Sequence, residues 1–414
     1  MKATASLQQS RERHDRLTFR GNLKETRYGW LRLTPAYSVH LVEQLLEDSA
    51  HNARVLDPFC GSGTTALACS LQGVAADTTD INPFLVWLAS TKTRRYDAGE
   101  RARFRELGDE LGRTLGARRA RADWLPPIHQ IEKWWDEGAR AALGRAWSAL
   151  DKLSHSEPRP VIDLAKVAFC QTLIACANVS FGHQSMSFKA RAAHGPGSAE
   201  LAQEAWRRAV ASIAESAGTD VARLPKVKLC DARELASAYA KETFSRVITS
   251  PPYPNRMSYV RELRPYMYWL GYLSDGRAAG ELDWQAIGGT WGTATSRVGR
   301  WQPSDADDVP VRGFPQILKR VAKHSPLLAR YVHKYFADMA RHCRELYPLL
   351  KARGRVDYIV GNSKFYDVMV PVERIFAELF EAAGFENARA TAIRKRSSKR
   401  ELFEFLVTAE KPAR

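Results

Sequence analysis

Two short stretches of this chain hold residue types that do chemistry. The first is Val55-Leu56-Asp57-Pro58-Phe59-Cys60-Gly61-Ser62-Gly63-Thr64-Thr65, an apolar run that ends in an acid and passes two glycines. It then enters the helical-looking Thr65-Ala66-Leu67-Ala68-Cys69. Glycine at such a turn tolerates positive φ and lets backbone approach a ligand closely. The helix behind it turns unpaired N–H groups and a positive dipole end toward an anionic group. The second stretch is Ser250-Pro251-Pro252-Tyr253, which follows the strand-like Phe244-Ser245-Arg246-Val247-Ile248-Thr249. Two prolines stiffen the backbone, so the Ser250 hydroxyl and a proline carbonyl stand as fixed acceptors beside the aromatic face of Tyr253. Such a set suits a planar ligand that carries an exocyclic amine.

Both stretches need to end strands of one α/β unit, since ligands gather outside the carboxyl ends of such strands. The chain supplies the rhythm. Val39 to Leu46 reads as a helix with Ser38 placed to cap it. Gly73 to Asp80 reads as a second strand ending in acids, about 20 positions beyond the glycine loop, where a carboxylate holds ribose hydroxyls. Val227 to Asp231 is a third strand, and a helix over Arg233 to Glu242 leads to the fourth at Phe244. Arg256 to Leu273 is aromatic-rich and helical in pattern. Further on come a long helix from Tyr331 to Lys351, a strand from Arg355 to Val360 and a helix from Val372 to Ala383. Two strands close the chain, Ala388 to Lys395 and Glu401 to Thr408, joined by the basic turn Arg394 to Arg400. Between the second and third strands, Ala98 to Ala222 turns rich in Ala, Arg, Leu and Glu at helical spacing.

Asp-Pro-Phe-Cys-Gly-Ser-Gly-Thr-Thr together with Ser-Pro-Pro-Tyr resembles the paired motifs of amino-directed DNA methyltransferases, enzymes that use S-adenosylmethionine. The resemblance implies a Rossmann-like α/β fold: a seven-stranded methyltransferase sheet with an antiparallel strand at one side. It covers roughly residues 22 to 96 and 226 to 414. It implies a cofactor site at Asp57, Pro58, Phe59, Cys60, Gly61, Ser62, Gly63, Thr64 and Thr65. Asp80, Ile81 and Asn82 follow, because Asp-Ile-Asn-Pro matches the family's ribose site, with Asp77 in reserve. Asp231 and Ala232 are expected near the adenine. A segment just before the glycine loop closes over the methionine end in this family, which assigns Thr34, Pro35 and Tyr37 to that role. Ser250, Pro251, Pro252 and Tyr253 become catalytic, with Tyr253 acting through its ring rather than its hydroxyl. Serine in the first position is associated with cytosine-N4 enzymes; adenine N6 is the alternative. Carbon-5 methylation needs a Pro-Cys nucleophile, and the sequence has no such dipeptide.

The chemistry explains the pocket. An exocyclic amine delocalises its lone pair into the ring and attacks poorly. Acceptors on its N–H bonds favour a tetrahedral nitrogen aimed at a methyl sulfonium, and alignment supplies much of the remaining rate.

The 414 residues carry 62 basic and 46 acidic side chains, a net charge of +16. That excess favours a polyanionic partner, and double-stranded DNA comes first. Candidate contacts are His183, Gln184, Ser185 and Lys189 in a polar, aromatic and basic loop, Arg256 beside the pocket, Arg297 and Arg300, and the turn residues Arg394, Lys395 and Arg396. Six dispersed cysteines with no zinc spacing suggest a reduced, cytoplasmic protein without a metal. No apolar run approaches the ~20 residues of a membrane span.

The expected organisation is a mobile arm over 1–21, catalytic parts at 22–96, 226–273 and 331–414, a helical insertion at 97–225 and a loop-rich target-recognition insertion at 274–330. The family setting is a bacterial stand-alone modification enzyme, with a separate restriction endonuclease as its partner. Three rivals share features: an RNA amino-methylase of the same fold, a protein-glutamine methylase, and a silent DNA-binding protein that senses the cofactor.

Overall fold

The computed structural model describes residues 19–22, 26–33, 37–48, 52–116, 124–180, 187–189, 198–290, 292–396 and 401–413. Its centre is a sheet of seven strands: β1 (Arg54–Asp57), β2 (Ala75–Asp80), β3 (Lys226–Leu229), β4 (Phe244–Thr249), β5 (Leu350–Gly361), β6 (Glu386–Lys395) and β7 (Phe403–Glu410). They lie in the order β3-β2-β1-β4-β5-β7-β6. Neighbours from β3 to β5 pair in parallel, while β7 runs antiparallel to both β5 and β6. The middle strands bury side chains on both faces (Val55, Leu56, Val247, Ile248, Tyr358, Ile359), as the centre of a parallel sheet requires.

The order of winding sets where a ligand goes. From β1 the chain builds outward through β2 to β3, then returns to the other side of β1 as β4. Connections from β1 and β4 therefore leave in opposite directions, and a crevice opens between their carboxyl ends. The glycine loop ends β1 and Ser250 follows β4.

Thirteen helices of eight or more residues pack around this sheet among the described residues. Those flanking the first strands are α1 (Val39–Glu47), α2 (Thr64–Leu71) and α3 (Pro83–Thr93). The helical insertion is α4 (Ala98–Gly116), α5 (Glu137–Leu153), α6 (Arg159–Ala175) and α7 (Ser198–Ser216). It is not a detached module. Trp134, Trp135, Trp147 and Trp206 share one apolar core with Phe84 of α3 and with Tyr266 and Trp269 of α8 (Tyr259–Trp269). The fully buried Arg27 reinforces the join, donating to the carbonyls of Lys92, Ser216, Ala217 and Thr219.

Several expectations change. The 274–330 insertion is mainly helical, built from α9 (Gly276–Gln285), α10 (Thr293–Arg300) and α11 (Phe314–His324). Ala294 and Val298 lie four apart and both go into the core, a helical spacing hidden in a sequence rich in Gly and Thr. The helix expected over 233–242 is one short turn, Leu235–Ser237. Ser38 makes no side-chain cap; the Asn22 side chain accepts the Val39 N–H at 2.9 Å instead. The long helix, α12, runs Pro326–Leu346, with α13 at Val372–Ala382 behind β5. Residues 1–18 of the proposed arm and 397–400 of the basic turn lie outside the described residues.

Candidate active site

The glycine loop is tied to β2 before any ligand is considered. The Cys60 N–H donates to the Thr79 carbonyl at 2.8 Å, and the Thr78 hydroxyl to the Asp57 carbonyl at 2.9 Å. Gly61 and Gly63 take φ of +51° and +77°, a region that side-chain-bearing residues seldom adopt. A Cβ on Gly63 would also stand 3.0 Å from that of Ala89 on α3. These two glycines answer a need of the turn.

Asp80 closes the cradle. Its carboxylate accepts from the backbone N–H of Gly61 and of Asn82, each at 2.9 Å. Burial pushes its pKa up to about 6, against the pull of those two bonds. A carboxylate accepts about four hydrogen bonds, so acceptor capacity is left for a pair of hydroxyls. The reserve residue, Asp77, is committed elsewhere, to the Arg54 guanidinium at 2.7 Å. Asn82 caps α3 through the Phe84 N–H.

Asp57 is a structural hub as well as a cradle wall. It accepts from the Thr249 hydroxyl at 2.6 Å, the Phe59 N–H at 3.1 Å and the Tyr37 hydroxyl at 3.3 Å. Desolvation lifts it to about 6 as well. Tyr37 also bonds Thr65, which places it at the start of α2. Thr34 and Pro35 lie outside the described residues. Asp231 follows β3, but its carboxylate is held by Arg233 at 2.6 Å, and Arg233 also reaches Asp338 at 2.9 Å. Burial works against that carboxylate, yet Arg233 keeps its pKa below the usual range. The Ala232 carbonyl is taken by His342, whose other ring nitrogen meets Tyr358; burial lowers that imidazole to about 4 and keeps it neutral.

Ser250 donates to the Ile359 carbonyl of β5 at 2.9 Å, which leaves its lone pairs available to accept. The Pro252 carbonyl is occupied by the Tyr335 hydroxyl at 2.7 Å. Tyr253 is placed from four sides. Its N–H meets the Tyr259 hydroxyl at 3.2 Å, and its own hydroxyl donates to Glu404 of β7 at 3.1 Å and lies 3.4 Å from Ser250 Oγ. The Arg396 guanidinium stands over its ring, 5.0 Å from the centroid. Burial, then Glu404, pushes the phenol well above its ordinary pKa.

Sequence reasoning missed Glu404, Asn362 and Lys92. Glu404 is buried between Tyr253 and the Arg394 Nε, 2.7 Å away. Asn362 accepts the Arg396 guanidinium on its carbonyl at 3.1 Å and ties β5 to β7 through the Phe403 N–H. Lys92, buried, donates to the carbonyls of Ser62 and Tyr28, and burial lowers it to about 8. Their types carry no motif: sheet order brings in Glu404 and Asn362, and the packing of α3 brings in Lys92.

The expected nucleic-acid contacts divide. Arg394 and Arg396 are bound into the pocket wall rather than offered to solvent. Arg297 is paired with Glu281, whereas Arg256, Arg300 and Lys189 are exposed and Lys395 is half-buried. His183, Gln184 and Ser185 fall outside the described residues. Among the described residues no His, Cys, Asp and Glu cluster suits a metal, and no helix is long and apolar enough to cross a membrane.

No family model matches the chain. Two structures of the rRNA methyltransferase aviRa from Streptomyces viridochromogenes align over 95% of this chain and 96% of theirs, at 13% and 12% identity. Their TM-score is 0.30. Over 69 residues the chain is 38% identical to the Type II methyltransferase M.AvaI of Nostoc sp. and of Anabaena variabilis. It is 32% identical to the Type II methyltransferase M.BsoBI of Geobacillus stearothermophilus over the same length. Each match spans 16% of this chain and 14% of the relative, so the likeness to Type II methyltransferases is one of a short shared stretch.

Proposed function

We propose that this protein is a DNA methyltransferase that uses S-adenosylmethionine and methylates the exocyclic N4 of a cytosine swung out of the duplex. The observation that carries the reading is the placement of Ser250-Pro251-Pro252-Tyr253 at the end of β4, directly beside the glycine loop that ends β1. The residues of the cradle fit the donor: two glycines without a Cβ, and a carboxylate with lone pairs to spare. When bound, the donor supplies a methyl group on an electrophilic sulfonium.

The chain's own residues do the rest. Asp80 holds ribose hydroxyls, and the loop N–H groups fix the backbone around them. Ser250 accepts one amine N–H, and a proline carbonyl accepts the other; the Pro252 carbonyl already carries one bond from Tyr335, which favours that of Pro251. Extruding the base costs a few kcal/mol, offset in part by stacking on an aromatic ring. Serine at position 250 favours cytosine N4 over adenine N6. The charge of +16 suits a duplex partner. A modification system, with a cognate endonuclease in a bacterial cytoplasm, is consistent with the Type II names of the relatives.

Mass spectrometry of digested DNA from a host expressing the protein tests this. The expected product is N4-methylcytosine. Finding N6-methyladenine alone would overturn the choice of base, and methyl groups on RNA but not DNA would overturn the substrate.

A further inference from the structure

Beyond β5 the chain makes a small antiparallel ribbon, Ser363–Phe365 with Val368–Val370. It grows from the strand end where Ser250 and Tyr253 sit, because Asn362 at its base holds the Arg396 guanidinium that covers Tyr253. A second link runs through Tyr331: its hydroxyl accepts the Arg256 N–H at 3.2 Å, and its ring packs on Phe365 at 6.1 Å. The ribbon therefore forms a rim of the base pocket.

At its tip stands Tyr366, 62% exposed, more than any other large apolar side chain described. Its φ is +56°, a conformation rare for a bulky residue. Its ring stacks on His324 of α11, with centroids 4.9 Å apart and planes inclined by 21°, and the His324 Nε2 lies 2.7 Å from Asp367. An aromatic pair is thus held upright in solvent. Beside it α11 buries Phe314, Ile317 and Val321 and exposes Lys319, Arg320 and Lys323 on the opposite face. None of these three cations is in an ion pair among the described residues. Stacked rings next to unpaired cations are the chemistry of a nucleic-acid strand with an unstacked base.

We propose that the Tyr366–His324 stack and the Lys319, Arg320 and Lys323 face of α11 form a docking surface for the DNA duplex at the rim of the pocket. Tyr366 stacks on the strand beside the extruded nucleotide, and the three cations meet its phosphates. This rests on the DNA reading above and assigns that reading a surface.

The test measures binding rather than turnover, on the full chain, with a mixed-sequence duplex and with the same duplex carrying one unpaired base. For wild type, log affinity falls linearly with log salt. The variant K319A/R320A/K323A flattens that slope by up to about 2.7, at about 0.9 per phosphate contact. Y366A leaves the slope unchanged and weakens binding of the unpaired-base duplex roughly five- to a hundredfold. Both variants keep wild-type affinity for S-adenosylmethionine, which shows that they fold, and K319R/K323R keeps the wild-type slope. If wild type binds duplex and both alanine variants bind it equally well, the surface is elsewhere and the DNA reading stands. If wild type binds no duplex, both fall. Slope loss on an RNA stem alone would overturn the assignment to DNA.

Discussion

The proposed cofactor cradle and the proposed base pocket sit side by side at the ends of β1 and β4, yet they are built in opposite ways. The cradle is mostly local: the bonds from Phe59 to Asp57, Gly61 to Asp80, Thr78 to Asp57 and Asn82 to Asp80 join residues 2, 19, 21 and 2 positions apart, and the long link is that from Thr249 to Asp57, 192 positions apart. The base pocket is not. Ser250 leans on Ile359, 109 positions away; Tyr253 on Glu404, 151 away; Pro252 on Tyr335, 83 away. A mostly local site is encoded by a contiguous motif and is largely built by one βαβ unit, with β4 adding the Thr249 bond. A remote one needs β4, β5 and β7 already docked, so the motif records only the half of it that touches the ligand.

That contrast predicts independence, and the largest effect should come from the pocket. Tyr253→Ala removes the proposed stacking face, worth ~1–3 kcal/mol, and lowers turnover by up to about two orders of magnitude. Calorimetric affinity for S-adenosylmethionine should not move. Tyr253→Phe keeps the ring, but it strips a donor from the buried Glu404, which among the described residues then keeps Arg394. Its activity should stay near wild type while its melting temperature falls. Equal loss of donor binding and turnover in Tyr253→Ala would break the separation.

In the cradle, Asp80→Ala deletes a charge-assisted bond worth roughly 1.5–3 kcal/mol, a ten- to hundredfold loss of donor affinity. The same residue sets a pH dependence. Its folded pKa of about 6 lies above the ordinary 3.8, so the folded chain binds this proton more tightly than the unfolded one. Its contribution to stability therefore declines as pH rises from about 4 to 6 and is level above that; Asp57 acts in the same sense. Donor binding runs the other way, because the ribose hydroxyls need the ionised acceptor. Affinity should be flat above about pH 7 and fall as pH drops through 6, and Asp80→Asn should abolish much of that fall. Titration calorimetry across this range decides the matter.

The same difference explains what could be read before the fold was seen. The individual strands and the helical insertion follow from apolar runs ending in acids and from an Ala, Arg, Leu and Glu stretch at helical period, whereas the seven-stranded sheet with its antiparallel strand follows from the family resemblance. The motif points to Asp80 with Asp77 in reserve; in the structure Asp77 pairs with Arg54 on the neighbouring strand, a partner the motif does not announce. Arg394 and Arg396 read in sequence as a basic turn open to phosphates. Their real partners, Glu404 and the Tyr253 ring, depend on the register of β6 on β7 and on the order of β7, β5 and β4. Helix α10 was hidden for another reason. Its Gly and Thr content argues for a loop, and only burial of Ala294 and Val298 outweighs that propensity.

A smaller perturbation probes the pocket's backing. Gly361→Ala would place a Cβ 2.9 Å from the Tyr253 ring and within 2.4 Å of the Arg396 guanidinium. The guanidinium end can shift, but the ring is anchored through its hydroxyl by Glu404 and its backbone N–H is held by Tyr259. Overpacking of this kind costs ~1–3 kcal/mol. The melting temperature should drop and turnover with it, again without a change in donor affinity. A fully active Gly361→Ala would mean that the tilt of Tyr253 is not set from behind.

The smallest effect separates the three cations of the turn, which look alike in sequence. Arg394 is bonded to buried Glu404 and Arg396 lies over Tyr253, whereas Lys395 has no ion pair among the described residues. Only Lys395 is available to a phosphate without giving up a partner. Lys395→Ala should therefore flatten the salt dependence of duplex binding by no more than about 0.9, the share of one phosphate, and leave melting unchanged. Arg394→Ala should do the reverse, because it leaves Glu404 buried beside Tyr253 without its guanidinium. If Arg394→Ala flattened the slope at undiminished stability, the turn would be a phosphate grip after all, and Glu404 would need another reason to be buried.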